Sequence, residues 1–437
     1  MITLVEALNY RCLRFVSRDL GPFHVLVGPN ASGKTTFLDV VGFLRDIVSE
    51  GLDTALSSRT TNPEDLLFRR QGQKLELAVE APIPDEIRKQ IPTRDLDTAR
   101  YEVVIGFDET QRQFEFKTEK FLLKKSKVKA ARQRELFPGS SIAPETLSTP
   151  TRTRDVQIVV NKVAGGHDYF YSETGADLPT GYYDEYLGND YFYSETGEGW
   201  AHSFKLGPQK SALGNLPADE TSFPVALWFR DHLSTGVQGF ILNSVKIKQP
   251  SPPTRVSGFL PDGSNLPWVV ARLRQQDKAS YRDWIAHLRT ALPDLVGIAT
   301  IERPEDKHCY LIYEYEGGLK GPSWLVSDGT LRLTALTLPA YLSDLQGIYL
   351  IEEPENGIHP RAVTTVYDSL SSVYAAQVLL ATPSPVLLNE AKLEQVLCFA
   401  KDENGSTDIV LGSEHPKLRE WREAANLGTL LAAGVLG

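Results

Sequence analysis

Two widely separated stretches of the sequence predict an α/β fold. Residues 28–36 read GPNASGKTT and follow an apolar, strand-like run at residues 23–27, with apolar residues at helical spacing after them. Residues 348–355 read IYLIEEPE, an apolar run ending in carboxylates that is typical of a buried parallel strand. Period-two alternation at residues 74–80 and 101–107 indicates half-exposed antiparallel strands as well. We therefore expect a mixed central sheet plus an antiparallel β lobe.

The glycine-rich stretch fits the phosphate-loop pattern GxxxxGK[ST], with Gly28, Gly33, Lys34 and Thr35 in the required places. A loop between a strand and a helix directs backbone N–H groups and a helix N-terminus at one spot, where polyphosphate binds. Lys34 should reach the β- and γ-phosphates, and the Thr35 hydroxyl should hold Mg²⁺. The predicted nucleotide-binding residues are Gly28, Pro29, Asn30, Ala31, Ser32, Gly33, Lys34, Thr35 and Thr36.

The acidic end of the second stretch supplies the chemistry that a bound nucleoside triphosphate needs. Glu352 is expected to hold Mg²⁺ together with Thr35, directly or through water. Glu353 is expected to orient and activate a water in line with the γ-phosphate. Glu353 and Lys34 are therefore the predicted catalytic residues, and ATP with Mg²⁺ is the predicted ligand.

Composition agrees with an intracellular protein, and the length suggests two or three domains or one domain with a large insert. The 437-residue chain carries a net charge of −10 and three cysteines (Cys12, Cys309, Cys398) without metal-ligand spacing. We find no secretory leader and no apolar run of the ~20 residues that a membrane helix needs. The expected location is the cytoplasm, with no membrane contact.

A basic run interrupts this acidic background, and its only acid is Glu119. Its composition favours a helix. A solvated helix face is one interpretation, and a contact with nucleic-acid phosphates or with a partner is the other. The basic residues are Lys117, Lys120, Lys124, Lys125, Lys127, Lys129, Arg132 and Arg134.

We expect three segments: an N-terminal lobe at residues 1–116, an α+β insert at 117–235 and a C-terminal lobe at 236–437. The insert combines the basic run with a duplicated strand pattern. Between residues 119 and 300 no heptad pattern is sustained, so long coiled-coil arms are not expected.

The duplicated pattern is DYFYSETG, which begins at Asp168 and recurs identically 22 residues later. Two copies are too few for a solenoid, and a duplicated hairpin is the structural interpretation. The alternative is that its aromatic side chains stack on bases or on a partner. Elsewhere, residues 51–62 are expected to form a loop and 239–248 a strand.

A third motif, VSDGTLR at residues 326–332, places a serine and a glycine before a predicted helix. The order of this motif, the phosphate loop, EEPE, NGIHP at 356–360 and ATPSP at 381–385 resembles ABC-type ATPase heads. More narrowly, it is similar to the RecF/SMC-like AAA-family ATPases of bacteria, related to the ATPase part of OLD proteins. The motifs cover residues 1–45 and 320–390.

The resemblance implies an ABC-type ATPase head that dimerises on ATP. Ser327, Asp328 and Gly329 match the signature motif, which in such heads touches the γ-phosphate of a nucleotide held by the partner subunit. Arg11 matches a basic residue that contacts nucleotide phosphate, and Gln249 loosely matches the Q-loop glutamine.

One departure concerns the turn after the strand that follows the acidic motif. The family commonly has Thr-His-Ser-Pro there, and this chain has Pro383, which can neither sense phosphate nor relay a proton. Thr382 or Ser384 could supply a donor instead, or hydrolysis is slow.

Two functions follow from these expectations. One is an ATP-hydrolysing switch or motor in DNA repair or anti-phage defence, working with a separately encoded effector because only about 50 residues follow Ser384. The alternative is a nucleotide-gated clamp or scaffold that hydrolyses little ATP.

Overall fold

The computed structural model describes most of the chain and has a mixed α/β fold with three sheets. Contacts group the chain into two compact units, one of residues 1–21, 31–237 and 399–409, the other of residues 22–30, 238–398 and 410–437. The described residues are 1–108, 113–126, 136–139, 142–150, 155–174, 192–193, 200–253, 258–418 and 427–434.

The described chain contains eighteen strands and eleven α-helices. The strands are β1 Leu4–Tyr10, β2 Leu13–Asp19, β3 Phe23–Val27, β4 Lys74–Pro82, β5 Thr98–Asp108, β6 Gln113–Lys124, β7 Val156–Val163, β8 Asp168–Tyr171, β9 Phe192–Tyr193, β10 Trp200–Phe204, β11 Val237–Phe240, β12 Leu295–Glu302, β13 Cys309–Tyr315, β14 Lys320–Pro322, β15 Ile348–Glu352, β16 Gln377–Ala381, β17 Val396–Lys401 and β18 Thr407–Leu411. The α-helices are α1 Lys34–Glu50, α2 Leu52–Ser57, α3 Asp85–Arg88, α4 Pro224–Ser234, α5 Ser244–Lys248, α6 Leu266–Gln276, α7 Lys278–Leu288, α8 Asp328–Thr337, α9 Pro360–Ser371, α10 Pro385–Leu388 and α11 Leu427–Ala432. Within these ranges no helix has the combination of length and apolarity that a membrane crossing requires.

The first unit contains the predicted antiparallel lobe, a nine-stranded sheet in the order β2-β1-β4-β5-β6-β7-β8-β10-β9. Alternate residues of its central strands face the helices of the same unit. The Phe229 ring of α4 lies 6.3 Å from the Tyr101 ring and 5.1 Å from the Phe121 ring. One face of the sheet is therefore an aromatic and aliphatic core, as the period-two pattern predicted.

The opposite face of this sheet is charged and nevertheless buried, so the expectation that β4 and β5 are half-exposed is wrong. Arg100 bonds to Glu6 at 2.7 Å, Glu80 at 2.9 Å and Glu102 at 2.8 Å. Residues 146–149 cover part of this face, and the backbone N–H of Thr149 donates to Glu102 at 2.6 Å. Each buried charge on this face thus has hydrogen-bonding partners, which offset the cost of removing it from water.

Arg100→Met should destabilise the protein by about 3–5 kcal/mol, because it leaves two buried carboxylates and the half-buried Glu6 without their shared cation. Urea denaturation measures this change. The matched control is Arg88→Met, whose ion pair with Asp85 is exposed and should contribute at most about 0.5 kcal/mol. Equal losses in the two variants would contradict the buried network.

The repeated sequence contributes strands on both sides of β10. The first copy supplies β8 and the described part of the second supplies β9, and both pair antiparallel with β10. These parts agree with the strand interpretation, and most of the second copy lies outside the described residues. Glu173 of the first copy is fully buried and accepts from Val225 N at 2.6 Å and Ala226 N at 2.8 Å, so it caps α4.

Burial raises the pKa of Glu173 from 4.5 to about 8, against the lowering effect of the two N–H donors. Between these values the folded chain keeps a proton that the unfolded chain has lost, so stability falls as the pH rises. We expect this group to contribute a slope of at most about −1.4 kcal/mol per pH unit between pH 5 and 8. Glu173→Gln should remove this contribution. Parallel stability–pH curves for the two proteins would contradict it.

The second unit contains most of the central sheet, whose order is β11-β15-β16-β3-β17-β18. The pairs β15–β16, β16–β3 and β3–β17 are parallel. A three-stranded antiparallel sheet, β12-β13-β14, packs against α6 and α7. The predicted mixed sheet and antiparallel lobe are confirmed.

Several local predictions are wrong. Residues 51–62 contain α2 instead of only a loop. The predicted strand at 239–248 ends with β11 at Phe240, and α5 follows because Asn243 accepts from the N–H groups of Val245 and Lys246. The basic run up to Lys124 belongs to β6, not to a helix, because Phe121 and Leu123 alternate into the core. Residue 117, where the insert was expected to begin, lies within β6, and the division into three segments stays a prediction.

Candidate functional site

The predicted phosphate loop joins β3 to α1. Gly28, Ala31 and Gly33 have φ angles of 151°, 62° and 107°, so the loop repeatedly adopts backbone conformations that L-residues rarely occupy. The N-cap residue of α1 is Gly33, which has no side chain, and the first turn of α1 contains no acidic residue. These N–H groups and the positive end of the helix dipole together suit an anion.

A residue near the end of the chain supports the second half of this loop. Thr407 Oγ1 donates to the Ser32 carbonyl at 2.8 Å, and Thr407 N donates to the Cys12 carbonyl at 2.9 Å. A Cβ added to Gly33 would collide with Thr407 Oγ1 and lie 3.1 Å from Cys12 Sγ. Gly33 is therefore required both for its φ angle and for this close approach.

Gly33→Ala should weaken ATP binding by about 5- to 150-fold, which corresponds to roughly 1–3 kcal/mol of backbone strain that the loop would relieve by moving. Fluorescence anisotropy with a labelled ATP analogue measures the affinity. Gly239→Ala is the control, because a Cβ there meets nothing within 4 Å. The loop assignment would be contradicted if both variants bound the analogue like the wild type.

The acidic motif lies at the carboxyl edge of the parallel sheet. Register aligns Glu352 with Ala381 and Ala381 with Leu26, so the ends of β15, β16 and β3 meet at one edge. Glu353 is exposed, has a φ of 45°, and donates its N–H to the Ala381 carbonyl at 2.8 Å. Left-handed backbone at a glutamate is costly and is found where the surrounding structure enforces it, often at functional sites.

Two residues hold this turn: Asn356, which was expected only as part of the NGIHP motif, and Thr382, which was expected only as a possible substitute donor. Asn356 Nδ2 donates to Glu353 Oε2 at 2.5 Å. Thr382 Oγ1 donates to Glu355 Oε1. Burial raises the pKa of Glu355, and the negative charge of Glu353 raises it further, while the Thr382 hydrogen bond lowers it.

The predicted signature residues lie at the start of α8. Ser327 is exposed and is the N-cap, accepting from Thr330 N at 3.2 Å. Asp328 forms an ion pair with Lys248, which offsets a negative charge that would repel phosphate. A Cβ on Gly329 would lie 2.6 Å from the Gly357 carbonyl, so α8 begins directly against the loop that follows the acidic motif.

Arg11 lies in the first unit with a φ of 49° and forms an ion pair with Asp39 at 3.4 Å. Asp39 also binds Arg59 at 2.8 Å, a residue the sequence reasoning missed because it is distant in the chain. Both arginines line a cavity of about 450 Å³. Its lining residues are Arg11, Arg59, Thr60, Asp65, Leu66, Leu67, Arg69 and Arg70.

Two further residues have local roles. His359 caps α9, since its Nδ1 accepts from Arg361 N at 3.2 Å, in agreement with a structural role. Gln249 directly follows α5, and its backbone N–H donates to the Lys246 carbonyl at 3.1 Å.

Three of the four described lysines of the basic run are engaged within the protein, and the fourth, Lys125, is exposed. Lys117 pairs with Glu115 at 2.8 Å, and Lys124 pairs with Glu80 at 2.6 Å. Lys120 is buried and donates to the Thr149 carbonyl at 2.5 Å. The predicted contacts of Lys127, Lys129, Arg132 and Arg134 lie outside the described residues.

The residues predicted to bind Mg²⁺ fit a hard cation. Thr35 and Glu352 are both exposed and offer oxygen donors. Among the described residues there is no group of three or more His, Cys, Asp or Glu side chains that could hold a metal. Mg²⁺ usually takes one or two protein oxygens and completes its shell with water and substrate phosphate, so this donor set is sufficient.

The loop between β3 and α1, the parallel order β15-β16-β3 and the separate antiparallel lobe define the fold as a P-loop NTPase of ABC-ATPase-head type. A model of the family described as "AAA domain, putative AbiEii toxin, Type IV TA system" matches residues 23–198 and 205–389. The chain therefore belongs to this AAA-domain family.

Solved structures agree with this fold. An SmcHead crystallised with the C-winged helix domain of ScpA has a TM-score of 0.52 and 15% identity, over 94% of this chain and 96% of that chain. The Smc head with an extended coiled coil, bound to the C-terminal domain of ScpA from Pyrococcus furiosus, has a TM-score of 0.51 and 13% identity, over 97% and 99%. No curated protein matched the sequence.

Proposed function

We propose that this protein binds ATP with Mg²⁺ at the phosphate loop and hydrolyses it. The observation that carries the proposal is the loop itself, with three residues of positive φ leading into the N-terminus of a helix that has no acidic residue in its first turn. Polyphosphate is the ligand that such a loop recognises best, since successive N–H groups and the helix dipole act on the same oxygens.

The residue roles follow from their chemistry. Lys34 neutralises the β- and γ-phosphates, and Arg11 contacts phosphate as a second cation. Thr35 and Glu352 hold Mg²⁺, which neutralises charge on the transferred phosphoryl group. Glu353 accepts a proton from the attacking water. Asn356 fixes the orientation of Glu353 through their 2.5 Å hydrogen bond.

Lys34→Ala should weaken ATP binding by about 10- to 150-fold, because a hydrogen bond to a charged group contributes roughly 1.5–3 kcal/mol. Isothermal titration calorimetry gives the affinity, and a thermal melt checks folding. Lys401→Ala, which removes an exposed lysine of β17, is the control. Wild-type affinity in the Lys34 variant would show that nucleotide is not bound by this loop.

We also propose that two copies close on ATP, with Ser327, Asp328 and Gly329 of one copy contacting the γ-phosphate held by the other. Ser327 and Asp328 are exposed at the N-terminus of α8, and Lys248 offsets the charge of Asp328. A phosphate reaching this helix end would meet the Ser327 hydroxyl and the positive end of the helix dipole.

Glu353→Gln should bind ATP, fail to hydrolyse it and accumulate as a closed dimer, because the amide keeps the shape but cannot take the proton. Adding Ser327→Arg should return it to monomer, since a bulky cation replaces a small hydroxyl. Light scattering after size exclusion, with ATP and with ADP, gives the masses. A dimer that persists after Ser327→Arg would contradict the composite site.

A clamp with little hydrolysis is the second candidate, and Pro383 favours it. The turn after β16 has at that position neither an N–H nor a titratable group. Steady-state ATPase rate, compared with ATP-dependent dimerisation, separates the two functions.

In the cell, we propose a switch or motor in DNA repair or anti-phage defence that acts with a separately encoded effector. The description of the matched family names the AbiEii toxin and a Type IV TA system, which supports a defence role. The SmcHead bound to ScpA supports the idea that such heads receive a second protein. A nucleic-acid contact through residues 117–134 has less support, because Lys117, Lys120 and Lys124 have partners within the protein.

A further inference from the structure

The hydroxyl of Thr382 is fully buried at the end of β16, and both of its hydrogen-bonding roles are used. It accepts from Ser384 N at 2.8 Å and donates to Glu355 Oε1. The Thr382 N–H donates to the Leu26 carbonyl of β3 at 3.0 Å. This side chain therefore has one fixed orientation, set by the strand that leads to the phosphate loop.

Glu355 depends on this hydroxyl. Its other oxygen, Oε2, is buried and has no hydrogen-bond partner among the described residues. The backbone N–H groups of Glu355 and Ser384 also stabilise its charged form, but the Thr382 hydroxyl has the larger effect of the three. Loss of that hydroxyl would therefore leave a half-buried carboxylate poorly satisfied, and water would solvate it better.

Glu355 and Glu353 belong to one tight turn. The Asn356 N–H donates to the Glu353 carbonyl at 3.0 Å, and the Ile358 N–H donates to the Glu355 carbonyl at 3.0 Å. Glu353 holds its left-handed backbone while its N–H bonds to Ala381, the residue before Thr382. The turn is thus attached to the end of β16 at two points, by the backbone of Glu353 and by the side chain of Glu355.

We propose that Glu355 and Thr382 form a positioning pair for Glu353, which rests on the proposed function of Glu353 as the base that activates water. The pair does not touch the substrate. It anchors the turn of residues 353–356 to β16, so that the Glu353 carboxylate keeps one orientation during the reaction. Pro383, next in the chain, has no side-chain group that could do this.

Thr382→Val tests the pair, because it removes the hydroxyl at nearly constant volume. Released Glu355 would turn towards water and shift the turn that carries Glu353. We expect kcat to fall about 10- to 100-fold, since small misplacements of a reacting group have effects of this size. KM for ATP should stay within about twofold, because Glu353 acts on the transition state.

Two variants serve as controls. Thr382→Ser keeps the hydroxyl and should keep kcat within about threefold of the wild type. Thr365 lies in α9, away from the turn, and its buried hydroxyl is 3.0 Å from the Thr290 hydroxyl. Thr365→Val removes this hydroxyl. Thr365→Val should lower the free energy of unfolding by about as much as Thr382→Val does, and it should leave kcat unchanged.

A second readout does not require hydrolysis. Hydrogen exchange of the amides at residues 353–358 should be at least about fivefold faster in Thr382→Val than in the wild type and in Thr382→Ser. Unchanged hydrogen exchange at these residues in Thr382→Val would overturn the positioning pair. A wild-type kcat in Thr382→Val would overturn it too, as would a loss of kcat in Thr382→Ser equal to that in Thr382→Val. A wild-type protein that binds ATP without hydrolysing it would instead refute the proposed hydrolysis, and the exchange experiment would still decide on the pair.

Discussion

The candidate site depends first on the parallel register of three strands. Because β15, β16 and β3 run in the same direction, Glu352, Ala381 and Leu26 are aligned, and the polar residues that follow each strand meet at one edge. No single strand contains this site. A shift of one residue in β15 would turn its side chains to the other face and move both acidic residues along the edge.

The sequence was sufficient to predict the parts that local patterns encode. The phosphate loop has a defined spacing, and β15 is a continuous apolar run, so both were predicted within about two residues, as is usual for element boundaries. Alternation found β4 and β5. Ser327 was expected before a helix and is its N-cap.

The remaining features arise from contacts between distant parts of the chain. Thr407 supports Ser32 across 375 positions, and no local pattern points to that pair. The EEPE motif gives Glu355 no role of its own, and its hydrogen bond with Thr382 joins residues 27 positions apart. Residues 239–248 have a strand-like pattern, but Asn243 caps a helix within them, so α5 forms there instead. In β6 the lysines suggested a helix, but tertiary packing of Phe121 and burial of Glu119 decided the outcome.

The central claim is that the loop after β3 recognises a polyphosphate. Equilibrium dialysis of the wild-type protein with ATP, ADP and AMP in the presence of Mg²⁺ tests it most directly. The account predicts that ATP and ADP bind and that AMP binds far more weakly, because AMP lacks the β- and γ-phosphates that Lys34 and the loop N–H groups contact. Equal binding of AMP and ATP, or no binding of either, would contradict it.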